Sequence, residues 1–238
     1  MSGSPEHEAL ALVVGGGGIG RAVAERLSTE AFRVVVADPK PDTEPYAPRT
    51  EISHIQTDVT DPGDVDRLYA EIRRAGEMPQ ALVVTAGIGI HERLDEGDPE
   101  KWRRVLDVNL LGALRVARAF LPEMRERKRG DLVFISSVSA RRTYPYGGVY
   151  SASKAGLEMA AEAIRLESLP HVRVTTIAPG VVDTRFFERT IGGAQTPDEI
   201  GWGALEPSDV AGAVAYAITQ PRRVAIGSIT IRPAGQPF

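Results

Sequence analysis

The sequence predicts an α/β protein: a Rossmann-type, doubly wound parallel sheet of about seven strands with helices on both faces. Three observations predict it. Short runs rich in Val and Ile alternate with amphipathic stretches from one end of the chain to the other. A glycine-rich turn, Gly15–Gly20, follows the first such run and opens the first amphipathic stretch. No internal repeat or low-complexity stretch divides the 238 residues. Residues 9–238 are therefore expected to form one domain, preceded by a polar, disordered lead-in over 1–8.

Strands are expected at Leu10–Val14, Arg33–Ala37, Ile52–Thr57, Leu82–Thr85, Leu132–Ser136, Arg173–Ile177 and Ala225–Ile231. Continuous apolar runs of this length suit strands buried on both faces, hence a parallel sheet. Between them, residues 18–30 place Ile19, Val23 and Leu27 on one stripe. Residues 64–75 do the same with Val65, Leu68 and Ile72, entered through Asp61-Pro62 as cap and first turn. A long helical segment, 99–127, follows, then helices at 149–168 and 207–219, the last opened by Pro207-Ser208-Asp209. Pro39 to Pro48 is expected to be a surface loop. Residues 185–206 are the long connection without a period, and such connections are often functional lids.

Composition removes several classes of function. There is no cysteine, so disulfides, Cys-ligated metals and a cysteine nucleophile are excluded. Lys plus Arg total 28 against 32 Asp plus Glu, which leaves no basic excess to hold nucleic acid. No apolar run approaches the roughly 20 residues of a membrane span, and the start lacks the order of a signal peptide. A cytoplasmic protein is expected. Histidines at 7, 54, 91 and 171 have no metal-ligand spacing, so no metal is expected.

The glycine turn has a chemical reading. Gly15, Gly17, Gly18 and Gly20, with Ile19, offer a tight turn and close backbone approach to a pyrophosphate, and the helix N-terminus behind them favours anions. Asp38 ends the second strand, where a carboxylate accepts from ribose hydroxyls and repels a 2′-phosphate, which favours NAD over NADP. Lys40 and Arg21 are close in sequence, and a cation there would offset the repulsion. Asp58-Val59, after the third strand, can reach an adenine edge.

Tyr150 and Lys154 stand at i and i+4, on one face of a helix. A phenol has an ordinary pKa of about 10, and a neighbouring ammonium is expected to lower it enough for general acid/base work. Ser137, upstream at a strand end, supplies a hydroxyl for the reacting oxygen.

Together these residues resemble the short-chain dehydrogenase/reductase family, in its compact single-domain branch, over residues 9 to about 235. The resemblance rests on Gly15–Gly20, Asp38, Asp58-Val59, Thr85-Ala86-Gly87, Asn109, Ser137, Tyr150, Lys154 and Pro179-Gly180 with Thr184. It implies that Ser137 binds the substrate oxygen, Tyr150 moves the proton, and Lys154 holds the nicotinamide ribose. It further implies that Asn109 fixes a relay water, and that Pro179, Gly180, Val182 and Thr184 line the nicotinamide carboxamide. A homotetramer or homodimer built on the small-residue face of helix 149–168 is implied as well. The reaction implied is an alcohol–ketone interconversion with NAD. The alternatives are an NADPH-dependent ketoreductase of an acyl or polyketide-type pathway, or a catalytically silent dinucleotide-binding regulator.

The pattern departs from the family in two places. The family's loop, Thr-Gly-x-x-x-Gly-Ile-Gly, is here Val14-Gly15-Gly16-Gly17-Gly18-Ile19-Gly20, one residue shorter and without its threonine. Its Asn-Asn-Ala-Gly is Val84-Thr85-Ala86-Gly87. Both losses touch one region and are expected to compensate each other. The ending, Ile226-Gly227-Ser228-Ile229-Thr230-Ile231-Arg232-Pro233-Ala234-Gly235-Gln236, looks more like the tails of 3-hydroxy acid and serine 3-dehydrogenases, a subgroup that usually prefers NADP. Asp38 argues the other way, with a direct consequence at the 2′ position. Tyr144, Tyr146, Phe186, Phe187 and Trp202 are expected to border the cleft and suit an apolar or ring-bearing substrate, and His91 lies on the path a substrate takes. Arg141, Arg142 and Arg185 could recognise a carboxylate or phosphate.

Overall fold

A computed structural model describes residues 9–30, 32–40, 46, 52–193 and 196–237. The expected lead-in over 1–8 and most of the Pro39–Pro48 segment lie outside these residues. Seven strands form one sheet: β1 (Ala9–Val14), β2 (Phe32–Asp38), β3 (Ile52–Gln56), β4 (Ala81–Val84), β5 (Gly130–Ile135), β6 (Val172–Pro179) and β7 (Ser228–Ile231). Their spatial order is β3-β2-β1-β4-β5-β6-β7, parallel throughout. The order reverses between β1 and β4, and ligands of such sheets bind at the carboxyl ends beside that reversal.

The strand residues divide by parity between two cores. Leu10, Leu12, Val14, Leu82 and Phe134 pack on α2 (Pro62–Arg74), α4 (Ala113–Glu126) and α5 (Gly148–Glu167). Ala11, Val13, Val83, Val133 and Ile135 pack on α1 (Gly18–Thr29) and α7 (Pro207–Thr219). Five central strands are covered on both sides, as their continuous apolar runs require. The two edges are not. β3 and β7 alternate between partly buried and exposed residues, so the expectation of two buried faces fails where the helices do not reach. β7 is also shorter than the expected 225–231.

The expected helix over 99–127 is wound in three pieces: α3 (Pro99–Leu106), a π-helical turn (Asp107–Gly112) and α4. Inside the π turn, Asn109 leaves the helix to bond the backbone of Ile88, accepting from its N–H at 2.8 Å and donating to its carbonyl at 3.0 Å. π turns frequently mark functional positions. Segment 185–206 is not shapeless either. Ile191 pairs with Ile90 and Leu205 with Val182 as isolated bridges, and a short α6 (Pro197–Ile200) is held by a Thr196–Glu199 capping box.

Candidate active site

β1 ends at Val14, and Gly15 turns the chain at φ +106, a conformation that favours glycine. The Gly15 N–H donates to Ala37 O at 2.7 Å, tying the turn to β2. Gly17 caps α1 with no side-chain partner, and the first turn carries no acid. The helix therefore presents uncapped N–H groups and its positive end, which suits a phosphate. Gly18 opens that helix so close to Thr184 that a Cβ would lie 2.7 Å from its methyl carbon. Thr184 and the glycine loop, 166 residues apart at Gly18, thus meet at one wall.

The missing loop threonine has been replaced from across the sheet. The Thr85 hydroxyl, at the end of β4, donates to Gly15 O at 2.6 Å and lies 3.1 Å from Val14 O. The tie between loop and β4 survives with its donor moved to the other strand, which is the compensation expected from the two departures. Thr85→Val is expected to cost about 1 kcal/mol of stability, read as a lower Tm. It should also raise the KM for dinucleotide while leaving kcat unchanged.

The Asp38 carboxylate accepts from the Gly16 N–H at 2.7 Å through one oxygen and from the Lys40 N–H at 3.0 Å through the other. Both oxygens keep lone pairs free for hydroxyl donors. Arg21 is drawn away, 3.1 Å from Glu25 and with its guanidinium 4.7 Å from the centre of the Tyr46 ring. Asp58 is used locally: one oxygen accepts from the Thr60 N–H and hydroxyl at 2.9 and 2.7 Å. Val59 is buried against Gly112 of the π turn rather than displayed.

The four residues expected to carry the chemistry come together. Asn109, Ser137, Tyr150 and Lys154 are 0%, 8%, 9% and 3% exposed. Ser137 ends the strand-to-helix turn after β5 and accepts from the Ser139 N–H at 3.1 Å. Its hydroxyl neighbours the Tyr150 phenol and eases its ionisation. Lys154 Nζ donates to Ile135 O at 2.9 Å and lies 6.0 Å from the Tyr150 ring centre. A Cβ at Gly87 would lie 3.3 Å from that nitrogen and 3.5 Å from Asn109 Oδ1, so Gly87 leaves the approach to both open. Asn109 Nδ2 also donates to Ser153 Oγ at 3.0 Å. Ile88 and Ser153 thus take both Nδ2 hydrogens, while Oδ1 keeps one lone pair for a relay water.

The electrostatics correct one expectation. Lys154 does not bring the tyrosine down on balance. Burial pushes the Tyr150 phenol above its ordinary value, opposed by the nearby Ser137 hydroxyl and aided by Tyr144. Burial also lowers Lys154 to about 8. Between that value and the 10.5 of an unfolded lysine, the unfolded chain binds more protons, so stability rises with pH in this window. The raised tyrosine acts oppositely, above its ordinary 10. Raising pH from 8 to 9.5 should therefore stabilise the protein on the order of 1 to 2 kcal/mol relative to Lys154→Met, measured by urea midpoints.

Beyond these groups, Pro179 ends β6 and the Gly180 N–H donates to Ile231 O at 2.7 Å. The Val181 N–H donates to the side chain of Gln236 at 3.0 Å. Gln236, 7% exposed, is a residue the motifs do not indicate. Only its place in the unusual tail pointed to it. Phe186 lies 5.7 Å from Tyr150 between ring centres, with Phe187 edge-on behind it. Trp202 instead packs its backbone on the tail at Gly235. Arg141 is taken by Glu158 and Thr230. Among the described residues no group of three acids or histidines could hold a metal, and no helix is long and apolar enough to cross a membrane.

Comparison with known proteins agrees with this geometry. The chain is 33% identical over 230 residues to an uncharacterized oxidoreductase of Staphylococcus aureus (strain N315), covering 94% of this chain and 96% of that one. An alcohol dehydrogenase from the archaeon Thermococcus sibiricus, solved with 5-hydroxy-NADP, superposes with a TM-score of 0.85 at 26% identity, covering 96% and 97% of the two chains. The closed form of a serine dehydrogenase with NADP+ superposes with a TM-score of 0.87 at 26% identity, covering 96% of each. The family model described as short chain dehydrogenase matches residues 9–192, and the chain belongs to that family of oxidoreductases.

Proposed function

We propose that the protein is an NAD-dependent oxidoreductase that interconverts a secondary alcohol and a ketone. The observation that carries this reading is the burial of Tyr150 together with Ser137, Lys154 and Asn109, with Lys154 Nζ 6.0 Å from the Tyr150 ring centre. Ser137 and Tyr150 hold the substrate oxygen from two sides, and Tyr150 gives or takes its proton. Lys154, anchored by Ile135 O, supplies positive charge beside the phenol. A bound nicotinamide would supply the hydride acceptor or donor, with its ribose toward Lys154 and its phosphates on the uncapped start of α1. Phe186 shields the oxygen from water.

Asp38 supports NAD, because a 2′-phosphate would meet a carboxylate and because Arg21 is engaged by Glu25. NADP is the second reading, favoured by the NADP-type ligands of the two similar structures. A panel of alcohols and ketones followed at the NADH absorbance, with each cofactor, tests both. Turnover preferring NADPH refutes the Asp38 argument, and no turnover with either refutes the function. Self-association through α5 is also proposed, because Met159 and Leu166 are 72% and 57% exposed on it. Light scattering should report a dimer or tetramer.

A further inference from the structure

We propose that Tyr144 is a substrate-recognition residue, whose phenol engages a second oxygen of the substrate one or two bonds from the carbon that reacts at Tyr150. The proposal rests on the dehydrogenase reading above and narrows its substrates to alcohols and ketones bearing a neighbouring hydroxyl or carbonyl.

Four observations converge on this phenol. Its ring lies flat on the start of α5: a Cβ at Gly147 would be 2.5 Å from Tyr144 Cζ, the carbon that bears the hydroxyl. Gly147 is the residue before that helix, three positions ahead of Tyr150, and its N–H donates to Tyr144 O at 3.0 Å. The turn is therefore built around the ring, and glycine is what makes room for it.

On its other side the ring faces His91, 6.1 Å away between centres, and His91 in turn meets Tyr146 edge-on at 5.1 Å. His91 joins three segments. Its N–H donates to Ile191 O in the 185–206 connection, and the next residue, Glu92, donates to Tyr146 O. Tyr144 thus stands where the start of α5, the loop after β4 and the long connection meet.

Tyr144 is half-buried, and among the described residues its hydroxyl has no protein partner yet is not one of the buried unpaired atoms, so it is open to approach; burial raises its pKa. A ring fixed in place with an accessible, unpartnered hydroxyl is preorganised for a ligand atom. The phenol is neutral at working pH and can both donate and accept, which suits a hydroxyl or a carbonyl oxygen equally. Finally, the ring's seat, Gly147, stands at the start of the helix that carries Tyr150 in its first turn. A substrate oxygen held at Tyr150 therefore has Tyr144 within a short reach. Phe186 forms the apolar side of the same space.

The test compares kcat/KM for 2,3-butanediol with that for 2-butanol, and for 1-phenyl-1,2-ethanediol with that for 1-phenylethanol. These are measured in the wild type, Tyr144→Phe and Gly147→Ala. Tyr144→Phe keeps the ring and removes only the hydroxyl, while Gly147→Ala pushes the ring off its seat. The wild type should favour the diol of each pair. Both variants should lower the diol-to-alcohol ratio about tenfold or more. Equal losses on both members of a pair, or no loss, overturn the proposal. A preference for the phenyl compounds that survives Tyr144→Phe overturns it as well, because the ring then acts by stacking.

A second readout does not need turnover. Binding of 2,3-butanediol and of 2-butanol to the protein with NAD, followed by protein fluorescence, should show the diol held more tightly by the wild type and that margin lost in Tyr144→Phe. If no probe turns over with NAD or NADP, the dehydrogenase reading has failed on these substrates. The binding margin then still decides the role of Tyr144, and an absent margin, or one that Tyr144→Phe leaves unmoved, overturns the proposal.

Discussion

Tyr150→Phe is expected to lower kcat by about a thousandfold while leaving dinucleotide affinity within about twofold. The ring stays, so its packing with Ile90, Val105 and Phe186 is retained and the fold is undisturbed. The removed hydroxyl is the group that neighbours Ser137. Phenylalanine leaves no proton at that position, and the Lys154 ammonium lies 6.0 Å from the ring centre and donates to Ile135 O. Stopped-flow turnover together with dinucleotide binding by protein fluorescence separates the two effects. Normal turnover in this variant would sink the mechanism.

The protonation state sharpens the same prediction. Burial holds the phenol in its neutral form at ordinary pH, the form that donates a proton to a carbonyl oxygen. Ketone reduction therefore begins from the correct state, whereas alcohol oxidation must first remove a proton from a group that resists losing it. Oxidation should accelerate with pH more steeply than reduction, and both pH dependences should vanish in Tyr150→Phe.

How far the sequence disclosed this site depends on which residues are asked about. Ser137, Tyr150 and Lys154 were legible because each occupies a strand end or helix face that short-range spacing defines, whereas Asn109 came only from the family resemblance. The glycine loop was legible for the same reason. What could not be read was every contact made between distant parts of the chain. Thr85 closing on Gly15, 70 residues away, looked like two losses until the strands were set side by side. Gln236 reaching Val181, 55 residues away, had no motif at all. The sign of the Tyr150 shift was missed because spacing tells where an ammonium is but not how dry the pocket is. Burial outweighs a charge whose nitrogen is turned toward a carbonyl. The edge strands were misjudged for a related reason, since an apolar run does not say whether a helix covers it.

The second large effect concerns Gly20, and it discriminates between two uses of glycine in one loop. A Cβ at Gly20 would overlap the Gly15 carbonyl oxygen and lie 2.8 Å from Thr85 Oγ1. Both obstacles are fixed. The carbonyl belongs to the turn after β1, and the hydroxyl is donating to that same oxygen. Neither can move without opening the loop or breaking its tie to β4, so Gly20→Ala should destabilise the protein by about 3 kcal/mol, in the upper range for forced overpacking. Gly17, three residues earlier, is the contrast. A Cβ there meets nothing within 4 Å, and its φ of −67 is open to any residue. Gly17→Ala should leave the Tm unchanged. Any defect it shows must then arise in the space in front of the uncapped helix, where the phosphates are proposed to sit. Thermal melts paired with dinucleotide titrations read the two variants apart. Gly20→Ala should lose stability first and affinity with it, whereas Gly17→Ala should lose affinity alone. If Gly17→Ala binds dinucleotide normally, the phosphates do not approach the backbone at that residue, and the shortened loop holds them by the N–H groups of Gly18 and Ile19 instead.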